Sequence, residues 1–441
     1  MSPTNKRKLF YTIYFTLVLL PAIAMLLSGY LRGGENLIRD LAVFLGFIGM
    51  SLAGIQLISI GRIHWLADAL DLDKVYNNHH WVSLLSVLLI IAHFMLLSFY
   101  NPIIAGFLNI FKAPWMIAAG SIGLFGLLLI GITSVLRKSF KMDYRYWLFI
   151  HDILTIIILT FGMIHLFKVG YYTSHPFMKA IWIFEIAVWV VAFAYIRIIR
   201  PIRIGQKPYM VESVVGESAD TYTLTLVPDG HDGVSFEAGQ VAWISTGPSP
   251  FNLHRNPFSY SGSSEAPGGA IRFSIKNLGD FTSTVPHMQK GQRVYVDGPY
   301  GTFNLEDPRM QKGLVLIAGG IGLAPVMSIL NTLADRGDKR PAYVFYGDFN
   351  EDTALYADEF EQLKPKLNMA FVQVLEKPLQ DDYPHQGYIT KDVMLEHLPQ
   401  NYNELFYFVC GPAAMLRAVE KHFDAMGISD SQIHEENYTM A

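Results

Sequence analysis

Six long apolar stretches, all within the first 205 residues, constrain this chain more than any other feature. They run roughly from Leu9 to Tyr30, Leu41 to Ile60, Val75 to Tyr100, Trp115 to Leu136, Tyr146 to Val169 and Phe177 to Ile199. Each is about 20 residues long, the length that a helix needs to cross a hydrocarbon core of about 30 Å. Because backbone groups in lipid must satisfy their own hydrogen bonds, we expect a bundle of six transmembrane helices.

The pattern changes after residue 205. Short alternating runs separated by Gly, Pro, Asn and Asp follow, as is typical of a domain folded in water. The overall content of 51% hydrophobic and 16% charged residues therefore averages two environments. We predict a six-helix transmembrane domain over residues 1–205. An antiparallel six-stranded β-barrel over 206–306 and an α/β domain with a parallel sheet over 307–441 complete the prediction.

The loop charges predict the orientation in the membrane. About thirteen Lys and Arg lie on the side that holds the N-terminus, against about five on the other side. We therefore expect a multi-pass inner-membrane protein with both termini in the cytoplasm. The first apolar stretch is too long for a signal peptide, and it lacks a cleavage pattern, so it is predicted to be a retained anchor. The single Cys410 excludes an internal disulfide, and the net charge of -4 argues against a nucleic-acid partner.

Histidines inside two of the predicted helices follow one spacing. His79 precedes His93 by fourteen residues in the third stretch, and His151 precedes His165 by fourteen in the fifth. A fourteen-residue step turns a helix by about 1400°, within roughly 40° of whole turns, and rises about 21 Å. Each helix thus presents two imidazoles on one face. Both helices are predicted to run outward from the cytoplasm, so His79 shares the depth of His151, and His93 that of His165.

Four imidazoles in hydrocarbon need a compensating partner, because an unpaired polar group there costs about 2 to 7 kcal/mol. Iron coordination supplies one, which predicts two stacked bis-histidine haem sites. The alternative is four histidines that form hydrogen bonds between helices. His80 competes with His79 as a ligand, but its thirteen-residue distance to His93 turns it about 220° from the shared face.

Two acidic residues in the predicted helices are further candidates. Glu185 lies inside the sixth stretch, nearer the outer surface, and an acid within a membrane is a functional candidate. A position at the membrane interface is the alternative for Glu185. Asp152 is a weaker candidate for orienting His151, because adjacent helix positions diverge by about 100°.

Two segments of the second region carry flavin chemistry. The first is Asn256, Pro257, Phe258, Ser259, Tyr260 and Ser261, and the second is Lys276, Asn277, Leu278, Gly279, Asp280, Phe281 and Thr282. They resemble the two flavin motifs of the ferredoxin-NADP reductase superfamily. The resemblance implies that Ser259 offers its hydroxyl to the isoalloxazine ring, and that the Gly279–Thr282 turn presents backbone donors to the FAD pyrophosphate. Successive exposed N–H groups in a turn do bind anions.

The first segment departs from the family at one position. Asn256 stands where this branch of the superfamily has histidine or arginine before the proline, although His254 and Arg255 lie just upstream. The phosphate contacts of the flavin are therefore expected to be rearranged. Ordinary strand and turn roles are the alternative for Ser259 and Thr282.

A glycine turn follows a buried strand in the third region. The strand from Leu314 to Ala318 ends in Gly319, Gly320, Ile321 and Gly322, after which Pro325 lies at the start of a helix. A strand, a glycine turn and a helix N-terminus together bind a pyrophosphate. The turn is not the usual GxGxxG pattern, but with its proline it is similar to the dinucleotide motif of the same superfamily.

Two later strand ends complete the predicted nucleotide site. One strand ends in Cys410, Gly411 and Pro412 with Met415 on the next helix, and by the resemblance this turn lies against the nicotinamide. A buried structural thiol is the alternative for Cys410. Asp348 ends the other strand, and its carboxylate accepts from a ribose 2′-hydroxyl but repels a 2′-phosphate, which favours NADH.

Near the C-terminus, Tyr438 resembles the terminal aromatic residue with which the family covers the flavin ring. A frayed terminus is the alternative for this position.

Taken together, nearly the whole chain resembles the ferric reductase and NADPH oxidase superfamily. The resemblance implies FAD, two b-type haems and a nicotinamide dinucleotide, for which Asp348 favours NADH, with NADPH as the second possibility. It also implies transmembrane electron transfer from cytosolic NAD(P)H to dioxygen, giving superoxide, or to ferric iron. A flavin links a two-electron hydride donor to a one-electron haem iron. The alternatives are a membrane-anchored flavoreductase without haem, and a transporter with a regulatory nucleotide domain.

Overall fold

The computed structural model describes residues 3–27, 37–62, 72–252 and 255–437. The chain divides into two compact units, Met1–Arg200 and Pro201–Ala441. The predicted boundary between the barrel and the α/β domain, at residue 306, lies inside the second unit and stays a prediction.

The first unit consists of long apolar helices. They are α1 Pro3–Leu27, α2 Leu37–Ser59, α3 Leu72–Tyr100, α4 Trp115–Val135, α5 Tyr144–Val169 and α6 Pro176–Ala194. Shorter pieces are a helical turn at Ile103–Gly106 and a π-helical turn at Tyr195–Ile199. A short helix at Arg200–Gly205 begins at the last residue of this unit and continues into the second. Six helices of the described residues are long and apolar enough to cross a membrane. The predicted six-helix membrane bundle is therefore confirmed, with ends that shift by a few residues.

Glycines bring neighbouring helices of this unit close together. A Cβ on Gly49 of α2 would lie 3.0 Å from Ile90 of α3, and one on Gly126 of α4 would lie 3.1 Å from Ile158 of α5. Gly54 of α2 lies against the indole of Trp189. Small residues at such interfaces are typical of helices in lipid, where close packing replaces the hydrophobic effect.

The second unit begins with an antiparallel sheet. Its strands are β1 Tyr209–Gly216, β2 Thr221–Pro228, β3 Val241–Thr246, β4 Asn256–Ser259, β5 Ile271–Lys276 and β6 Arg293–Tyr300, in the order β4-β3-β6-β1-β2-β5. The outermost strands meet where Tyr260 bridges Phe273 and the Ser261 N–H donates to the Arg272 carbonyl at 2.8 Å. The sheet therefore closes into the predicted six-stranded barrel around apolar side chains.

A parallel sheet forms the rest of the second unit. Its strands are β7 Leu314–Gly319, β8 Ala342–Asp348, β9 Met369–Leu375, β10 Phe406–Gly411 and β11 Ile433–Asn437, in the order β11-β10-β7-β8-β9. The helices are α7 Leu323–Asp335, α8 Ala357–Leu363, α9 Lys391–His397 and α10 Ala413–Met426. Separate apolar clusters cover the two faces, as a doubly covered α/β sheet requires. The predicted α/β fold is confirmed.

Candidate functional site

Helices α3 and α5 bring four histidines together as two pairs. His93 and His165, here called the C-terminal pair, lie near the C-terminal ends of these helices, and their ring centroids are 6.5 Å apart. His79 and His151, the N-terminal pair, lie near the opposite ends with their ring centroids 6.3 Å apart. The two helices must run in the same direction to form both pairs.

Backbone carbonyls of other helices hold both rings of the C-terminal pair. The Nδ1 of His93 lies 2.8 Å from the Ala42 carbonyl oxygen in α2, and the Nδ1 of His165 lies 2.9 Å from that of Met116 in α4. Because a carbonyl only accepts, each Nδ1 carries the proton. Each Nε2 is therefore left as the unprotonated nitrogen that can bind a metal.

Glycines make these two contacts possible. Gly46 follows Ala42 by four positions, and Gly120 follows Met116 by four, so each stands one helical turn from the accepting carbonyl. A Cβ on either glycine would lie 2.6 Å from the Nδ1 of the histidine above it. Because glycine has no side chain, the Ala42 and Met116 carbonyls stay accessible to the two histidine rings.

A cavity of about 390 Å³ surrounds the C-terminal pair. Its walls are mainly apolar, with Phe47, Met50 and Phe94 among the lining residues, while Arg39 and Tyr171 lie near one end. The guanidinium of Arg39 lies 4.6 Å from the centroid of the Tyr171 ring. Such a cavity suits a large apolar ligand with a polar edge.

Side chains, not carbonyls, surround the N-terminal pair. The Nδ1 of His79 lies 3.1 Å from the Oε1 of Gln56. The Nδ1 of His151 is buried and has no hydrogen-bond partner among the described residues, and its ring lies 5.0 Å from that of Trp147. His80 is exposed beside Trp81, so the structure brings His79 rather than His80 to His151.

The two acidic candidates have partners of their own. The carboxylate of Asp152 pairs with the guanidinium of Arg197, and the buried Nδ1 of His151 makes no hydrogen bond to it. Glu185 is buried, and its Oε2 accepts a hydrogen bond of 2.9 Å from the Ser51 hydroxyl. Its Oε1 is buried and has no partner within the described part of the chain.

The two flavin segments meet in the barrel. The rings of Phe258 and Phe281 stack with their centroids 5.8 Å apart. Tyr260 stacks on Phe236 at 3.9 Å and is fully buried, which raises the pKa of its hydroxyl well above the usual range.

Ser259 is buried on β4, opposite Val241 of β3. Asn256 and Pro257 begin the same strand, and the Ser261 hydroxyl accepts from Ser274 at 2.9 Å.

The second flavin segment folds around one hydroxyl. The Oγ1 of Thr282 accepts from the N–H groups of Leu278 at 2.9 Å and Gly279 at 2.8 Å. The N–H group of Gly279 is therefore already hydrogen-bonded within the turn. No described residue accepts from the N–H groups of Asp280, Phe281 or Thr282, which remain for an anion.

Two basic side chains of these segments are already paired. Arg255 lies 3.0 Å from the buried carboxylate of Asp297 and donates to the Pro250 carbonyl at 3.0 Å. Lys276 lies 3.3 Å from Asp220. Arg255 thus contributes to the stability of the barrel. His254 lies outside the described residues.

The glycine turn after β7 packs against the turn after β10. A Cβ on Gly322 would lie 2.1 Å from the Cys410 carbonyl oxygen, and one on Gly319 would lie 2.5 Å from the Met415 sulfur. Gly411 is equally close to Met415, at 2.7 Å from its Cε. Gly320, with φ of 54°, has no atom within 4 Å of its Cβ position and faces open space.

Other residues of the predicted nucleotide site lie around these turns. Pro325 is buried in the first turn of α7, Ile321 is partly buried, and Pro412 caps α10. Cys410 is fully buried with its sulfur 3.5 Å from the Glu436 carbonyl oxygen. Tyr438 lies outside the described residues.

The Asp348 carboxylate organises its own loop. It accepts from the Phe349 N–H and the Thr353 hydroxyl, each at 2.7 Å, and from the hydroxyl of Tyr346. Burial, with the Asp348 charge, raises the pKa of Tyr346 above its usual range. Since a carboxylate offers about four acceptor positions, one remains for a ligand.

Sequence reasoning missed Gly46, Gly120 and Gln56. The two glycines belong to series of small residues in α2 and α4, which is the signal of close helix contact in lipid. Gln56 is a polar residue inside an apolar helix, which is itself a signal. The carbonyls of Ala42 and Met116 leave no signal in side-chain identity.

Comparison with known proteins matches a part of each unit to a family. Residues 45–162 match the ferric reductase like transmembrane component, and residues 316–421 match the oxidoreductase NAD-binding domain. The chain therefore joins a ferric reductase-like transmembrane segment to an oxidoreductase NAD-binding domain. His79, His93 and His151 lie within the first match, and so do both glycines beneath the C-terminal pair.

Several characterised proteins are similar to part of this chain. It is 30% identical over 184 residues to the toluate 1,2-dioxygenase electron transfer component of Pseudomonas putida, covering 41% of this chain and 53% of that protein. It is 30% identical over 153 residues to NADH-cytochrome b5 reductase 1 of Candida glabrata, covering 34% and 53%. The chain spans about half the length of these relatives.

Among solved structures, the FAD/NAD-binding domain of nitric oxide dioxygenase from Vibrio cholerae is similar, with 24% identity and a TM-score of 0.46. The similarity covers 53% of this chain and 98% of that domain.

Proposed function

We propose that the chain is a transmembrane oxidoreductase that moves electrons from cytosolic NAD(P)H, through FAD and two haems, to an acceptor beyond the membrane. The observation that carries the proposal is the presence of two facing imidazole pairs at opposite ends of the same two helices. They lie in a ferric reductase-like domain fused to a reductase module. The loop charges support cytoplasmic termini, which puts the C-terminal pair on the extracytoplasmic side.

The four histidines fit as the ligands of two haems. His93 and His165 would hold one haem through their Nε2 atoms, since each Nδ1 donates to a carbonyl. His79 and His151 would hold the other, with Gln56 orienting the first ring. Each haem would supply one-electron chemistry, and the two histidines of a pair would hold it in place between α3 and α5.

The reductase module supplies the entry for electrons. A bound flavin links the two-electron hydride of a nicotinamide to one-electron acceptors. The N–H groups of Asp280, Phe281 and Thr282 would bind the FAD pyrophosphate, and Ser259 would face the ring. The open turn at Gly320 and the N-terminus of α7 would bind the nucleotide pyrophosphate, with Cys410 to Pro412 near the nicotinamide.

We propose NADH as the preferred donor because the Asp348 charge opposes a 2′-phosphate. Replacing Asp348 by arginine would also break the three hydrogen bonds that hold its loop, so Asp348→Asn is the cleaner variant. We expect the ratio of kcat/KM for NADPH over NADH to rise about fivefold, which is roughly 1 kcal/mol of relieved repulsion. Asp352→Asn, an exposed neighbour, is the matched control, and an equal ratio in both variants would remove Asp348 as the determinant.

The acceptor is proposed to be dioxygen, giving superoxide, or a ferric chelate. Both suit a cofactor edge at the Arg39 end of the cavity around the C-terminal pair. Superoxide-dismutase-sensitive dye reduction, measured beside direct ferrous-iron formation, separates the two acceptors.

An absorption spectrum of the purified protein tests the proposal. Without oxygen, NADH is expected to bleach the flavin and then to reduce b-type haem bands. A membrane-anchored flavoreductase would oxidise NADH without those bands, and a transporter would not oxidise NADH. Either result would end the proposal.

A further inference from the structure

Two imidazoles outside the cofactor sites point at each other. The Nε2 of His385 lies 3.1 Å from the Nε2 of His397, and the ring planes are inclined by 82°. Glu396 completes the cluster, because one ligand atom from each of the three residues lies within 4.8 Å of the others. Both histidines are half-buried and Glu396 is exposed, so solvent reaches the cluster on one side.

The separation of the nitrogens suits a metal ion. Two nitrogens bound to one zinc ion at 2.0–2.1 Å with a tetrahedral angle lie about 3.3 Å apart, close to the observed distance. Two imidazoles and a carboxylate are ligands that zinc, copper and nickel ions accept, whereas calcium and magnesium require oxygen ligands. Three protein ligands leave a fourth position for water.

The cluster joins a loop to a helix beneath the nucleotide-binding edge. His385 lies in the loop after β9, and its carbonyl accepts from the Leu375 N–H at 3.0 Å. Four residues later, Ile389 packs under Gly347, with its Cδ1 3.4 Å from that glycine's Cβ position. His397 ends α9, and its ring lies 6.5 Å from that of Phe345 in β8.

We propose that His385, Glu396 and His397 bind one divalent transition-metal ion of the zinc class, which ties the loop after β9 to α9. The site is independent of the four membrane histidines and of the proposed electron transfer. None of the three residues belongs to the proposed flavin site or the proposed nucleotide site.

Zinc binding by the full-length protein tests the site. The protein is purified without a histidine tag, stripped with a chelator and titrated with zinc chloride by calorimetry, while bound iron is measured as an internal control. We expect one zinc ion per chain. His385→Ala and His397→Ala should each weaken zinc binding by about tenfold or more, and Glu396→Gln by less. His422→Ala, a half-buried histidine on α10 outside the cluster, should bind zinc as the parent does.

A ligand replacement separates metal binding from loss of structure. His397→Cys substitutes a thiolate, which zinc also accepts, so it should restore the affinity that His397→Ala loses. Equal zinc binding by the parent and by the His385 and His397 alanine variants would overturn the proposal. A hydrogen bond between the two imidazoles without metal binding would then explain the 3.1 Å contact.

Discussion

The two histidine pairs share two helices, yet the protein holds them in different ways. At the C-terminal pair, helix carbonyls of Ala42 and Met116 accept from both Nδ1 atoms. At the N-terminal pair, an amide side chain contacts His79, and His151 has no hydrogen-bond partner within the described residues. One pair is set by backbone and the other by side chains.

The difference concerns rigidity. A helix carbonyl is fixed by the backbone, so the rings of His93 and His165 are oriented before any ligand arrives, which lowers the entropic cost of binding it. The Gln56 side chain has several rotatable bonds and can follow the ring of His79. We therefore expect substitutions beneath the C-terminal pair to remove a cofactor, and substitutions beside the N-terminal pair to change its properties.

Removing a ligand gives the largest expected effect. His93→Leu should lower the proposed haem content from two to about one per chain, because one of the two proposed ligands of that haem is lost. Reduction of an external acceptor should be abolished, while NADH still reduces the flavin. Pyridine haemochromogen assays and acceptor kinetics measure both effects. His80→Leu, an exposed neighbour on α3, is the control, and full haem content in His93→Leu would contradict the ligand assignment.

Adding one methyl group beneath a ring should be nearly as damaging. Gly46→Ala puts a Cβ 2.6 Å from the Nδ1 of His93, so the ring must leave the Ala42 carbonyl. We expect a loss of the haem of the C-terminal pair, since overpacking of this kind costs about 1 to 3 kcal/mol. The matched variant Gly131→Ala, with its nearest neighbour at 3.8 Å, should keep both haems. If both variants keep both haems, the contact between the Ala42 carbonyl and the His93 ring is not needed to hold the haem.

The smallest effect is expected at Gln56. Gln56→Leu removes the group that orients His79, which should slow electron transfer by about tenfold through a poorly oriented ligand. Haem content should stay the same, and the change should appear in the midpoint potential of one haem. Ser59→Ala, one turn further along α2, serves as the control. A loss of haem as complete as that in Gly46→Ala would erase the distinction between the pairs.

The membrane half shows which features a sequence reveals. Apolar length predicted the six helices, and helical periodicity predicted which histidines share a face, because both depend on side-chain identity along one segment. The acceptors for His93 and His165 are backbone atoms of other helices, which every residue carries. They become visible only in the structure, as the hydrogen-bond partners of the two Nδ1 atoms.

The nucleotide turn gives the same lesson within one motif. The sequence predicts one phosphate-binding role for all of Gly319, Gly320 and Gly322. In the structure Gly319 and Gly322 lie against the turn at Cys410, and Gly320 faces open space. Similarly, Asp348 was predicted from its strand-end position, but its bonds to Tyr346 and Thr353 depend on how the loop returns.

Electron transfer across a lipid bilayer tests the central claim most directly. The purified protein is reconstituted in vesicles that trap ferricyanide, a one-electron acceptor that does not cross lipid, and NADH is added outside without oxygen. We predict that vesicles with outward-facing reductase modules reduce the trapped ferricyanide, and that His93→Leu vesicles do not while their flavin is still reduced. Flavin reduction by the parent protein, with the trapped ferricyanide left oxidised, would contradict the account.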